Sequence, residues 1–353
     1  MARPLRIGIV AAPWLPVPPL GYGGSEAVID SLARGLVRAG HEVVLYATGD
    51  STCPVERRSY HPLGVTPMGS ILGETSHVLA AYDALHDCDV IHDHTLLGPL
   101  LTTRHRVPIA TTNHAPFTDE IRALYTAVTP AVSLVAISHA QRASAPEIRV
   151  ARVIHHGVDT DDVPVGDGAG GYLLFLGRMS SDKGVHRAIA IARAAGVPLR
   201  IAAKMRDEAE VAYFDGVVRP LLGPDVEFLG EVAPDERAEL LGSAMALVNP
   251  IGWPEPFGMV MIESLATGTP VLTFALGAAP EIVDHGVTGF LGSDVVSLAT
   301  AVGRLGEIDR RRCRAVVEQR FSADRMVAEH VELYASMTAS PRDRQDALTL
   351  AAG

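Results

Sequence analysis

RIGIV at residues 6–10, followed by GYGGSEAVIDSLARGLVRAGHEVVLYA at residues 21–47, is the stretch that decides the fold. The short apolar run Arg6 to Val10 predicts a buried strand, and Gly21 to Gly24 supply a flexible turn after it. Ile29, Leu32, Leu36 and Val37 then recur at i, i+3, i+7 and i+8, the apolar stripe of a helix lying on a sheet. Gly40 supplies the stop, and Glu42 to Ala47 (EVVLYA) the next strand. The order strand, glycine turn, helix, strand is a βαβ unit.

The same order returns later. Tyr172 to Leu176 (YLLFL) predicts a strand, Gly177 to Gly184 (GRMSSDKG) a glycine-bounded polar loop, 185–195 a helix stopped by Gly196, and Leu199 to Ala203 a strand. Short apolar runs at 90–91, 107–110, 133–137 and 152–154 add strands to the first half. Runs at 226–229, 246–248 and 270–273 add them to the second, with helices at 234–241, 258–266 and within 295–337. Residues 158–171, rich in Asp and Gly, suit a crossing between domains. The chain therefore divides into 1–165, 166–320 and 321–353, the last ending in a loosely ordered tail. The fold class is α/β, with two doubly wound Rossmann-like domains whose strand ends supply the ligand edges.

Composition narrows the function. With 353 residues, 48% of them hydrophobic, the chain can bury two cores. Met1 to Val10 contain Pro4 and no long apolar core segment, so no secretory signal is expected. No apolar run approaches the ~18 residues of a membrane span. Cys53, Cys88 and Cys313 are odd in number and far apart, which fits reduced thiols and a cytoplasmic location better than disulfides or a zinc site. A net charge of -11 argues against a nucleic-acid partner. Any phosphate-bearing ligand must be met by a local arrangement.

The sharpest such arrangement is Glu255-Pro-Phe-Gly-Met-Val-Met-Ile-Glu263. Gly258 to Val260 should open a helix, whose first N–H groups have no intrahelical partner and carry partial positive charge, a setting for a diphosphate. Glu255 lies ahead of that helix and Glu263 inside it, so the two acids address different hydroxyl groups of one elongated ligand. Arg178 and Lys183, in the loop after the strand at 172–176, supply a fork and a point charge for a leaving diphosphate. Lys183 and Lys204 are the only lysines among 30 basic residues, and Lys204 ends the strand at 199–203, on the ligand edge. Gly23 and Gly24 form a turn there in the first domain. His92, His94, His114, His155 and His156 sit at first-domain strand ends as loop histidines without helical metal-ligand spacing; His114, in TTNHAPF, is the one expected to offer a donor to a sugar hydroxyl. No metal site is expected: the triplets Asp87 to Asp89 and Asp159 to Asp161 fall at a strand's N-terminal end and in the crossing, away from the ligand edge.

Together, GGSEAVIDSLARGLVRAGHEVVLYA, the GR-x4-KG loop at 177–184, E-PFGMVMI-E at 255–263 with ATGTP at 266–270, HGVD at 156–159, Pro280-Glu281 and GVTGF at 286–290 resemble glycosyltransferase family 4, over nearly the whole chain from Arg6 to about Tyr334. The resemblance implies the GT-B fold, in which helices near 321–334 cross back to the acceptor-side first domain while the second binds the donor. It also implies sugar transfer with retention, without metal or other cofactor; for the donor, a UDP-sugar is the first expectation and a GDP-sugar the second. Arg178 and Lys183 would hold the diphosphate, and the stretch Phe257, Gly258, Met259 and Val260 would meet phosphate and sugar. Glu263 would take the ribose, Glu255 the transferred sugar, and Gly23-Gly24 the phosphate side; His114 matches the family's cleft histidine.

The acceptor, whether small molecule, glycan or lipid, is not legible, nor is any peripheral membrane contact. The stretch WLPVPPL at 14–20 can either wall an acceptor site or simply pack. His156 stands where the family has Asn, Ala278-Ala279 where it has a double glycine, and Ala202-Ala203-Lys204 where a strand commonly ends in glycines. These departures touch the shape of the donor pocket, and hence the sugar. A sugar-nucleotide epimerase of the same fold and a catalytically silent sugar-nucleotide-binding protein are the alternatives. A dehydrogenase would need G-x-G-x-x-G spacing, which Gly21 to Gly24 lack.

Overall fold

The computed structural model describes residues 3–104, 106–161 and 163–339. The tail read as loosely ordered falls outside them except for its first two residues. In the first unit the elements are β1 (Arg6–Val10), α1 (Gly24–Arg38), β2 (Glu42–Tyr46), β3 (Glu56–Arg58), α2 (Ile71–Ala84), β4 (Val90–Asp93), β5 (Ile109–Thr112), α3 (Asp119–Val128), β6 (Ser133–Ala136), α4 (His139–Ser144) and β7 (Arg152–Val153). Their sheet runs β3-β2-β1-β4-β5-β6-β7, with every pair parallel. Helix α1 turns Val28, Ile29, Leu32 and Leu36 into the core and stops at left-handed Gly40.

The second unit holds β8 (Leu173–Arg178), α5 (Val185–Ala195), β9 (Leu199–Lys204), α6 (Glu208–Tyr213), β10 (Val226–Gly230), α7 (Pro234–Ser243), β11 (Ala246–Asn249), α8 (Met259–Ala266), β12 (Val271–Phe274), α9 (Ala279–Ile282), β13 (Gly289–Gly292), α10 (Val295–Val302), α11 (Arg310–Arg320) and α12 (Ala323–Thr338). Its parallel sheet runs β10-β9-β8-β11-β12-β13. Arg178 is the last residue of β8, where the sequence suggested a loop: the β8–β9 pairing continues until Arg178 lies opposite Lys204. Both sheets are buried on two faces, as expected of parallel sheets covered by helices.

The chain passes between the units twice, and the crossings run side by side. Val158 N–H donates to Phe321 O at 2.9 Å, and Ala323 N–H to Val158 O at 3.0 Å. Helix α12, capped by Ser322, then docks on the first unit, where Met326, Val327, Leu333 and Tyr334 join the core of Ile7, Ile29 and Leu32. No helix of the described residues is long and apolar enough to cross a membrane.

The α1–α12 contact is tight at Gly35, where an added Cβ would overlap Val327 Cγ2. Gly35→Ala gains at most about 1 kcal/mol of helix propensity, whereas overpacking a core contact typically costs about 1–3 kcal/mol. We therefore expect Gly35→Ala to lower the thermal midpoint by several degrees in a melting experiment. A midpoint at or above wild type would show that the contact is loose.

Candidate functional site

The carboxyl ends of the two sheets face each other, and the chain builds the cleft between them from short polar loops. On the second unit, Lys183 forms an ion pair with Glu255 Oε1, and both side chains are largely buried. Glu255 sits before α8 and is pinned from behind: Ala278 N–H donates to its carbonyl at 3.0 Å, and left-handed Gly277 lies so close that a Cβ there would overlap its backbone. Its other oxygen, Oε2, is buried without a partner among the described residues, as is the Trp253 indole nitrogen nearby in sequence. Buried polar atoms without partners are rare and call for a ligand or water. Gly258, at φ 101°, opens α8 in a conformation that suits glycine.

Arg178 and Lys204 meet on a third acid. Arg178 lies 3.1 Å from Asp182 Oδ2 and 3.9 Å from Glu210 Oε1, and Lys204 Nζ lies 3.4 Å from that same Glu210 oxygen. Lys204 is therefore no solvated surface charge: its ammonium is largely buried and lies 5.8 Å from the centre of the Tyr22 ring, across the cleft. Each of the three expected cations has an acid partner: Lys183 is held by Glu255, Arg178 by Asp182, and Lys204 by Glu210.

Tyr22 lies among these charges. Desolvation where the units meet raises its phenol above the usual value; Lys183 and Arg178 oppose that shift, while Glu255 and Glu263 add to it. Its N–H donates to Glu231 at 2.9 Å, and Glu231 in turn holds Arg206. Arg237 reaches both Gly21 O, at 3.5 Å, and Glu263, at 3.7 Å. Gly24 faces Met259, whose side chain touches the cores of both units, and Gly23 caps α1. The Phe257 ring is 3% exposed and packs against His155, His156 and Phe321, which leaves its backbone facing the donor stretch.

The first-unit histidines are not loop decoration. Four of them, His92, His94, His114 and His156, form a column with His330 of α12, which the sequence reading passed over. His92 contacts His330 and, at 4.1 Å, His94; His94 contacts His114, His114 contacts His156, and His156 contacts Phe257. His92 is held by the Tyr334 hydroxyl at 2.6 Å and Thr112 Oγ1 at 2.8 Å. His92 lies in β4 and His94 one residue past its end, and the i, i+2 spacing of extended chain puts both on one side, a signal available in the sequence. His114 is half-buried at the cleft end.

A second link between the units was also missed. Glu281 accepts the N–H groups of His139 at 2.9 Å and Ala140 at 2.7 Å, and lies 2.7 Å from His155 Nε2. Burial pushes its carboxyl up, but these bonds outweigh it and hold the group below its usual range. The ligand atoms of His139, His155 and Glu281 lie within 4.8 Å of one another, a set of the kind that can take a divalent metal. Glu281 already has three donors, however, and Arg320 and Arg325 donate to the carbonyls of Glu281 and His155, so the arrangement reads as a clasp between the units. The Asp triplets are accounted for elsewhere: Asp87 and Asp89 pair with Arg6 and Arg3 at the opposite sheet edge, and Asp159 lies near Arg38.

Comparison with known proteins matches this architecture. A Glycosyltransferase Family 4 model covers residues 22–162, and a model of group 1 glycosyl transferases covers 170–307. An uncharacterized glycosyltransferase of Methanocaldococcus jannaschii is 26% identical over 90% of this chain and 95% of its own. Among solved structures, AviGT4, a glycosyltransferase involved in avilamycin A biosynthesis, matches with a TM-score of 0.69 and 27% identity, over 95% of this chain and 98% of that one. Anabaena HepE, in complex with UDP and glucose, shares the fold with a TM-score of 0.77 at 20% identity, over 94% and 100% of the two chains. Two facing Rossmann-like domains with this likeness define a glycosyltransferase of the GT-B type. The chain belongs to the family 4 glycosyltransferases.

The buried histidines make the fold sensitive to acid. Burial lowers His77, His92, His94, His114, His156 and His330 from 6.5, with His77, His114 and His330 brought to about 4. Below about 6.5 the unfolded chain binds protons that the folded one refuses, so stability falls as pH drops through this window. Asp93, pushed up by burial to about 6, and Glu26, also raised by burial, work the other way, but they are two groups against six. We expect the thermal midpoint to fall steeply between pH 7 and pH 5. A midpoint unchanged over that range would contradict a neutral, buried column.

Proposed function

We propose that the protein transfers a sugar, with retention of configuration, from a nucleoside-diphosphate sugar to a hydroxyl of a small molecule, glycan or lipid in the cytoplasm. UDP is the favoured nucleotide, GDP the second choice, and no metal takes part. The observation that carries this reading is the Lys183–Glu255 pair at the cleft floor, with Glu255 Oε2 buried and partnerless. The UDP of the Anabaena HepE complex supports the nucleotide, and three buried free cysteines fit a reducing compartment.

In this reading the diphosphate meets Arg178 and Lys183, which exchange Asp182 and Glu255 for phosphate oxygens. The N–H groups from Gly258 to Val260 and the Gly23-Gly24 turn close on it, and Lys204 steadies Arg178 through the shared Glu210. Glu263, oriented by Arg237, takes the ribose hydroxyls. Glu255, released from Lys183, turns to the sugar. The bond from the sugar C1 to the phosphate oxygen breaks, the acceptor oxygen bonds C1 on the same face, and the acceptor proton passes to the departing phosphate. Preorganised cations at a developing charge are worth several kcal/mol, which is why a divalent ion is not required.

Two substitutions separate the roles. Glu255→Gln should cut release of UDP from UDP-glucose by on the order of a hundredfold or more, as for other groups aimed at the reacting centre, and leave UDP affinity within a few-fold. Glu263→Gln should weaken UDP itself, since a ribose contact acts in ground and transition state alike. Rates should survive EDTA. Equal loss of UDP affinity in both variants, or a rate abolished by EDTA and restored by manganese, would overturn the assignment.

A further inference from the structure

We propose that His94 is a positioning residue that fixes the tautomer of His114, so that His114 presents a protonated Nδ1 to the cleft. The link between that N–H and a sugar hydroxyl rests on the transferase reading above; the tautomer itself does not.

His94 Nδ1 and His114 Nε2 lie 2.9 Å apart. The rings are 5.2 Å apart at their centroids with 28° between planes, the arrangement of two imidazoles meeting nitrogen to nitrogen. One proton lies between them, and its owner follows from the far side of His94. The Nε2 of His94 is buried and has no partner among the described residues. If His114 owned the shared proton, neutral His94 would carry its own proton on Nε2, burying an N–H with no acceptor. Orphaned buried N–H groups are rarer than orphaned acceptors, and each costs the full desolvation of the group. If His94 holds the proton on Nδ1, the unpaired atom is a bare lone pair.

Both rings are neutral, since burial lowers both, and charging one would place an imidazolium among His92, His114, His156 and His330. His92 cannot relieve His94 by rotating, because Tyr334 and Thr112 hold its two nitrogens. His114 Nε2 therefore accepts, and its own proton stands on Nδ1. That atom has no protein partner among the described residues, and the ring is half-buried at the cleft. In this form His114 donates to a sugar oxygen and has no free nitrogen with which to take the acceptor's proton. Catalysis by this histidine is confined to orientation.

The test reads the ring nitrogens directly. In protein labelled with 15N-histidine at pH 7, long-range proton–nitrogen correlations, assigned with a His114→Asn variant, should show both His94 and His114 protonated on Nδ1. His94→Phe keeps the ring but donates nothing, and should leave His114 as a mixture or protonated on Nε2. The same variant should raise KM for UDP-glucose several-fold while UDP affinity stays unchanged. His94→Asn, whose amide can donate from a similar place, should restore the Nδ1 form. Wild-type His114 protonated on Nε2 overturns the proposal, as does a tautomer that ignores His94→Phe. Should His94→Phe fail to fold, the wild-type spectrum decides alone. The spectrum needs no substrate, so its failure and a failure to bind UDP are separate results.

Discussion

Two backbone hydrogen bonds at the double crossing, Val158 to Phe321 and Ala323 to Val158, fix where the two sheets can face each other. They have little strength alone, but they deliver α12 to the first unit, where Met326, Val327, Leu333 and Tyr334 are buried. Full burial of such side chains is worth about 1.5–3 kcal/mol each. The contacts across the cleft rim are lighter: Tyr22 N–H donates to Glu231 at 2.9 Å and Arg237 reaches Gly21 O at 3.5 Å, and a typical hydrogen bond is worth about 0.5–1.5 kcal/mol net. The helix side is therefore the firmer attachment between the units.

That attachment brings opposite charges together in a chain that is acidic overall. Both of its lysines lie in the cleft, and each is held by a glutamate, Lys183 by Glu255 and Lys204 by Glu210. A buried pair keeps its members desolvated and oriented, which favours exchange of the carboxylate for a more highly charged diphosphate. An arginine would be a poorer partner here, since a point charge can move between carboxylate and phosphate oxygens with a small rotation.

The elements legible in the sequence are those whose residues are buried on both sides. The β1–α1–β2 and β8–α5–β9 units were readable because apolar runs and glycine stops coincide there. β3 was not, because Glu56, Arg57 and Arg58 are all charged, and the edge strand is held by pairing with β2 and by ion pairs with Arg6. α2 escaped because Ile71, Leu72 and Leu79 face solvent while Val78, Ala81 and Tyr82 are buried, which blurs the helical stripe. In the site, Glu255, Glu263, Arg178, Lys183 and Lys204 stood in local motifs. Tyr22 and Glu281 stood in quoted stretches without an assigned role, and Glu210 and Arg237 in none, because their roles arise only where separate segments meet. His330 arrives at the histidine column from the last helix, and only the docking of α12 puts it there.

The central claim is that the cleft binds a nucleoside diphosphate through Lys183 in exchange for Glu255. Calorimetric titration of UDP into wild type and Lys183→Ala tests it most directly, with melting curves confirming that both are folded. The account predicts that wild type binds and that Lys183→Ala weakens binding tenfold or more, about 1.4 kcal/mol. Equal affinity in the two proteins, or no UDP or GDP binding by wild type, would contradict it.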